Sequence, residues 1–196
     1  MNGTAGPPLG ASFFDRSPRP VAVDLIGCTL LHRGVGGLIV ETEAYEREEP
    51  ACHAFGGPTT RNAPLFGPPG RIYVYLCYGI HSMFNFVTGP GEVAGAVLVR
   101  ALQPTDGIEE MRLRRRTGSD DRNLCSGPGK LCEALDIGLG DSGVSAVEGS
   151  YAVLGREPDA PEPEVAVGPR IGITKAADLP WRYCLAGSRY LSRPAG

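Results

Sequence analysis

The chain has 196 residues and a formal net charge of −3, which suits one well-buried domain and is short for two. Its 28 glycines and 18 prolines favour strands on tight turns over long helices. No apolar run reaches the roughly 18 residues of a membrane-spanning helix, and no N-terminal segment combines positive charge with an apolar core. The six cysteines (Cys28, Cys52, Cys77, Cys125, Cys132, Cys184) form no Cys-x-x-Cys pair, which argues against a zinc ribbon or a secreted disulfide scaffold.

Residues 1–11, rich in Gly, Pro and Ala, are expected to be a disordered lead, with 12–196 a single domain. Pro18 and Pro20 suit a first helical turn, Val21 to Ile26 continue it and Gly27 stops it. Cys28 to Arg33 and Leu38 to Tyr45 flank Gly34-Val35-Gly36-Gly37 as a hairpin. Pro58 to Gly70, with four prolines, is a loop carrying Arg61 and Asn62. Ile72 to Tyr78, Met83 to Thr88 and Ala94 to Leu102 read as strands, with a turn around Gly89-Pro90-Gly91-Glu92 joining the last two. Short turns between neighbours imply an antiparallel meander.

Asp106 is placed to cap a helix reaching about Arg116, with Glu109 at capping-box spacing. Gly129 to Ile137 forms another helix, Pro158 to Glu164 an exposed turn, and Val165 to Thr174 returns to sheet. The fold class is mixed α/β, of the α+β kind. Only Lys130 and Lys175 among the 19 basic residues are lysines. Arg112, Arg114, Arg115, Arg116, Arg122 and Lys130 gather in one stretch, as a solvated helix face or as a surface for phosphates.

The chemistry concentrates in residues 41–53, Glu-Thr-Glu-Ala-Tyr-Glu-Arg-Glu-Glu-Pro-Ala-Cys-His. On a strand Glu41, Glu43 and Tyr45 share one face and Thr42 and Ala44 the other. Two carboxylates there suit an acid/base pair, metal ligands with His53, or a solvent-facing sheet edge. The metal reading lacks His-x-x-His or His-Glu-x-x-His spacing. Tyr45, Tyr73, Tyr75 and Tyr78 suit either core and sheet-surface positions or the rings of a clamp. Gly79 after Tyr78 suggests a turn that projects that ring outward. Ser126-Gly127-Pro128-Gly129-Lys130 opens a helix whose free N–H groups suit either a phosphate or ordinary capping.

Glu41-Thr42-Glu43-Ala44-Tyr45, His53, Arg61-Asn62, Tyr73-Val74-Tyr75, Tyr78-Gly79, Asn85, Leu98-Val99-Arg100-Ala101 and Cys125-Ser126-Gly127-Pro128-Gly129-Lys130-Leu131-Cys132 together resemble the alkyladenine DNA glycosylase family. The resemblance runs in order from about Phe13 to Ser192. It implies one domain around a curved antiparallel sheet, and removal of damaged purines from double-stranded DNA by base flipping and N-glycosidic hydrolysis.

By that resemblance Glu43 activates water, and Arg100 with the backbone carbonyl of Ile171 helps to hold it. Tyr45, His53 and Tyr75 sandwich the extruded base, Asn85 meets its edge, and Tyr78 fills the gap in the duplex. Arg61, Ser126, Gly127 and Lys130 face the DNA backbone. No metal or cofactor is implied. Neither lysine lies in a pocket segment, so a monofunctional enzyme without lyase activity is expected. A monomer in the cytoplasm, associated with the nucleoid of a bacterium, completes the expectation. Around Pro58 the chain is a residue shorter than the vertebrate pattern, and Ile80 stands where methionine is common. These departures bear on DNA affinity and lesion range.

Overall fold

The computed structural model describes residues 6–89, 94–116 and 120–195. Eight strands form one curled antiparallel sheet, and four short helices are found among the described residues. In chain order these are α1 (Ala11–Phe14), α2 (Pro18–Asp24), β1 (Thr29–His32), β2 (Val35–Tyr45), β3 (Ile72–Cys77), β4 (His81–Thr88) and β5 (Gly95–Asp106). They continue with α3 (Ile108–Arg115), α4 (Pro128–Leu135), β6 (Tyr151–Leu154), β7 (Val165–Gly168) and β8 (Arg182–Leu185). The main path runs β3-β4-β5-β2-β1-β6, and β8 joins β2 to β7.

Strand alternation divides the sheet into two faces. Ala44 of β2, Ile72 and Val74 of β3, Phe84 and Phe86 of β4, and Val97 and Val99 of β5 enter the main core. There they meet Val21 and Ala22 of α2 and Leu131, Cys132, Ala134 and Leu135 of α4. Truncating Phe84 or Phe86 to alanine would cost about 3–5 kcal/mol. The other face carries a smaller cluster that includes Tyr73, Val87 and Ala96 with Cys52, Ala54 and Leu65. Tyr45 of β2 and Tyr73 and Tyr75 of β3 therefore gather away from the main core, whereas Val35 and Ile39, before the register shifts at Glu41, enter it.

Several sequence expectations shift by a few residues for identifiable reasons. The β1–β2 hairpin turns on Arg33-Gly34 alone, both at positive φ (51° and 78°), because pairing already begins at His32↔Val35. Val35-Gly36-Gly37 thus belong to the strand. The same extension pairs Gly36 with Asp106, so Asp106 ends β5 and does not cap α3. Gly107 takes the N-cap at φ 66°, with no side-chain cap bond, and a Cβ there would lie 2.8 Å from Val35. Glu109 pairs with Arg112 in place of a capping box.

Residues 6–11 of the expected disordered lead are ordered: the Gly6 and Leu9 N–H groups donate to the carbonyls of Gly155 and Val153, and Ala11 opens α1. Residues 1–5 of that lead, and the 89–92 turn beyond Gly89, lie outside the described residues. The return to sheet at Val165 stops at Gly168, and β6 and β8, four residues each, carry no sequence pattern of their own. Five of the cysteines are buried, Cys77 is half-buried, and all six are free thiols. Among the described residues no helix is long and apolar enough to cross a membrane.

Candidate active site

Glu41 and Glu43 are both fully buried on β2, two residues apart. The register with β5 shifts on both sides of Glu41, so Arg100 has no ladder partner between Val99 and Ala101. Irregularities of this kind re-aim side chains. Arg100 Nε donates to Glu41 Oε1 at 3.2 Å, and its Nη1 lies 3.2 Å from Glu43 Oε1. The same Nη1 reaches the Ile171 carbonyl at 3.5 Å, while the Ile171 N–H donates to Glu43 Oε1 at 2.7 Å. The hydroxyl of Tyr45 donates to Glu43 Oε2 at 2.7 Å.

Glu41 has a different environment. Besides Arg100 it accepts from Arg182 Nε at 2.7 Å, from the Ser192 hydroxyl at 2.8 Å and from the Ser192 N–H at 2.6 Å. Arg182 in turn donates to the carbonyls of Arg193 and Pro194, so the last residues of the chain close over this carboxylate. Two carboxylates and two guanidinium groups thus balance in charge within the fold.

Beside Glu43 a cavity of about 280 Å³, open to solvent, is lined by Tyr45, Ala51, Cys52, His53, Leu65, Tyr73, Tyr75, Asn85 and Ala96. Tyr73 and Tyr75 project from β3 with ring centroids 5.6 Å apart, and His53 lies edge-on to Tyr75 at 4.4 Å. His53 Nδ1 is 2.9 Å from the Tyr73 hydroxyl. The loop that carries His53 is pinned by buried Asn62, whose amide donates to the carbonyls of His53 and Gly57 and whose oxygen accepts from Thr59. Asn85 donates its amide to the carbonyls of Tyr73 and Met83, which spends its nitrogen on the sheet.

The lining is held neutral. Burial, then the Glu43 charge and hydrogen bond, pushes the Tyr45 phenol well up, and burial likewise raises Tyr75 and Tyr73. Burial takes the Cys52 thiol up to about 11. His53 moves down from 6.5, through burial of its inner edge and the nearby Arg61 charge. At neutral pH the tyrosine and histidine walls are therefore uncharged aromatic surfaces with hydrogen-bond donors.

The remaining expected residues lie at one end of the β3–β4 hairpin. Tyr78, at φ 52°, is 89% exposed at its tip, followed by Gly79 and by Ile80 at 73%. The expected turn and outward ring are both present. Arg61 sits 5.7 Å from the Tyr75 ring and reaches the Leu76 carbonyl. Gly127 is the N-cap of α4, Lys130 Nζ donates to the Ser126 hydroxyl at 3.2 Å, and a Cβ on Gly129 would meet His81 at 3.2 Å. The α4 N-terminus thus abuts the turn end of that hairpin, where His81 pairs with Cys77. In the arginine stretch, by contrast, Arg112, Arg114, Arg115 and Arg122 pair with Asp121, Glu110, Glu133 and Asp120, so four of its six basic groups are neutralised locally.

The supports were less visible in the sequence. Arg182, Ser192, Glu49 and Arg170 all bond into this region, but no local pattern marks them. Glu49 in particular is buried, although it sits among the acids of Glu46 to Glu49. Among the described residues no three histidine, cysteine, aspartate or glutamate side chains converge as metal ligands.

Comparison with known proteins gives a consistent result. The model of the family described as methylpurine-DNA glycosylase matches residues 12–189. A relative from Rhodopseudomonas palustris (strain HaA2) is 55% identical over 98% of this chain and 94% of its own. One from Nitrobacter winogradskyi is 56% identical over 96% and 89%, and one from Nitrosospira multiformis 52% identical over 92% of both. Each is provisionally named a 3-methyladenine DNA glycosylase.

Proposed function

The chain belongs to the methylpurine-DNA glycosylase family, and from that premise we propose that it flips alkylated or deaminated purines out of duplex DNA and hydrolyses the N-glycosidic bond with water activated by Glu43. It is a DNA-repair glycosylase, a hydrolase whose substrate is DNA. The observation that carries the finer reading is the setting of Glu43. It is a buried carboxylate gripped by Tyr45, Ile171 and Arg100, and Tyr45 also lines an aromatic cavity.

Extruding a nucleotide costs a few kcal/mol. Stacking on aromatic side chains returns roughly 1–3 kcal/mol per base. Tyr45, His53 and Tyr75 offer such surfaces, and Asn85 stands where a base edge would be read. Tyr78, exposed on a tight turn, is a wedge for the vacated stack, with Arg61, Ser126, Gly127 and Lys130 beside it for the phosphates. An alkylated purine carries positive charge, so neutral tyrosine faces favour it by about 0.5–2 kcal/mol of cation–π attraction.

Such a base already leaves readily, and the sugar gains positive character as the bond stretches. One carboxylate then has two tasks, steadying that charge and taking a proton from the attacking water. The Arg100 guanidinium and the Ile171 carbonyl supply a donor and an acceptor to orient the water. General base catalysis of this kind contributes about 10²–10⁴ in rate. Glu41 is bound by two guanidinium groups and by Ser192, and no cavity-lining residue bonds to it as Tyr45 does to Glu43, which leaves it a supporting role. With no lysine among the cavity lining, the product is an intact abasic site. The enzyme acts as a cytoplasmic monomer at the nucleoid.

The test is base release from duplexes containing 3-methyladenine or hypoxanthine, with and without EDTA, by the wild type and Glu43→Gln. Release that survives EDTA but vanishes in Glu43→Gln supports the assignment. Undiminished release by Glu43→Gln would sink it, tight binding without release would make the protein a damage reader, and loss in EDTA would point to a metal. A borohydride-trapped protein–DNA adduct would rule out the monofunctional reading.

A further inference from the structure

Behind the Tyr45 wall lies an ion pair that the reaction as drawn does not use. Glu49 and Arg170 are both about 5% exposed, and Arg170 Nη1 and Nη2 donate to Glu49 Oε1 and Oε2 at 2.7 and 3.0 Å. The fork also donates to the carbonyls of Ala44 and Ala176, at 2.9 and 3.2 Å. Glu49 Oε2 accepts in addition from the Ala51 N–H at 2.9 Å. The Arg170 guanidinium carbon lies 4.6 Å from the Tyr45 ring centroid and 5.1 Å from that of Trp181. Tyr45 lines the cavity, whereas Arg170, Trp181 and Glu49 do not. One ring therefore both lines the cavity and carries a buried guanidinium on its face.

The consequence is electrostatic. A cation seated on an aromatic ring draws on the same quadrupole that a second cation would use from the other side, and the two cations also repel through the ring. An unmasked Arg170 would thus weaken the attraction of Tyr45 for a positively charged base. Glu49 supplies the mask, since a bidentate carboxylate in a buried setting cancels most of the guanidinium field. Resting on the reading that extruded bases stack on Tyr45, we propose that the Glu49–Arg170 pair is a specificity-determining element, fixing how strongly the pocket prefers cationic over neutral purines. Arg170 sets the position of the wall and Glu49 sets its effective charge. Neither touches the base.

The decisive comparison uses a duplex with cationic 7-methylguanine, assayed by single-turnover release, and one with neutral hypoxanthine, titrated as a competitor so that its affinity is read whether or not it is cut. Glu49→Gln keeps the shape but removes the mask. It should lower the 7-methylguanine rate constant at limiting enzyme by roughly three- to tenfold, the span of a modest cation–π term, and leave the hypoxanthine inhibition constant within about twofold. Arg170→Lys keeps the charge and loses the planar fork, so it should weaken both arms alike. The double variant Glu49→Gln with Arg170→Met deletes the cation too, and should return the preference to the wild-type value or above it.

A merely structural pair would move both duplexes by one factor in every variant. That outcome, or a double variant that stays as unselective as Glu49→Gln, overturns the proposal. If the wild-type protein releases no methylpurine at all, the stacking reading falls and the inference falls with it. Normal wild-type release with an unselective Glu49→Gln removes the inference alone.

Discussion

Glu41 and Glu43 are the same residue type, two positions apart on one strand, both fully buried and both in contact with Arg100. Their surroundings nevertheless separate them. Glu41 is closed in by Arg182 and by both polar groups of Ser192. Glu43 is held by the neutral donors Tyr45 O–H and Ile171 N–H, beside a cavity. A carboxylate saturated by cations and hydrogen bonds is a structural tie. Glu43 is instead coupled to the cavity through Tyr45, which both bonds to it and lines that space. The lesson is that identical groups acquire different work from the partners that the fold assigns to them.

The comparison yields graded expectations. The largest is kinetic: Glu43→Gln should reduce single-turnover base release by about 10²–10⁴, with urea midpoints near those of the wild type. Glu41→Gln should invert that pattern. It leaves Arg182 and Arg100 short of an anion and so costs about 3–5 kcal/mol of stability, read from equilibrium urea unfolding. Its rate should fall less than that of Glu43→Gln. Equal rate losses in the two variants would erase the distinction between them.

Ser192→Ala should be milder, about 1.5–3 kcal/mol for a hydrogen bond to a charged group. The backbone N–H remains to hold Glu41 Oε2, so the lower end is expected in the same unfolding experiment. The smallest effect concerns His53, whose folded pKa lies below 6.5. The unfolded chain then takes up the proton first as pH falls. Stability at this position is full above 6.5 and declines as pH drops through the window beneath it. A His53→Gln variant should flatten that part of a melting-temperature profile between pH 7 and 5. A profile unchanged by the substitution would contradict the shift.

Much of the site was legible locally. The two-residue period of β2 put Glu41, Glu43 and Tyr45 on one face, and the structure gathers them with Arg100. The Tyr78-Gly79 pair foretold a turn with its ring outward, since glycine there relieves a tight reversal. Asp106 misled for a physical reason: its capping chemistry competed with pairing to Gly36, and the ladder won. The four-residue strands β6 and β8 carry too little pattern to announce themselves, and the long-range partners carry none.

By itself, then, the sequence determined the strand faces, the cluster of tyrosines, the hairpin tip and a family resemblance that the comparisons bear out. Only the tertiary structure decided which carboxylate is tied off and which is left beside the cavity. Those choices are made by Ile171, 128 residues from Glu43, by Arg182 and Ser192, 141 and 151 residues from Glu41, and by Arg170, 121 residues from Glu49. Periodicity fixes the direction in which a side chain leaves its own strand. What it meets there depends on how distant segments close over it, and that is a property of the folded chain.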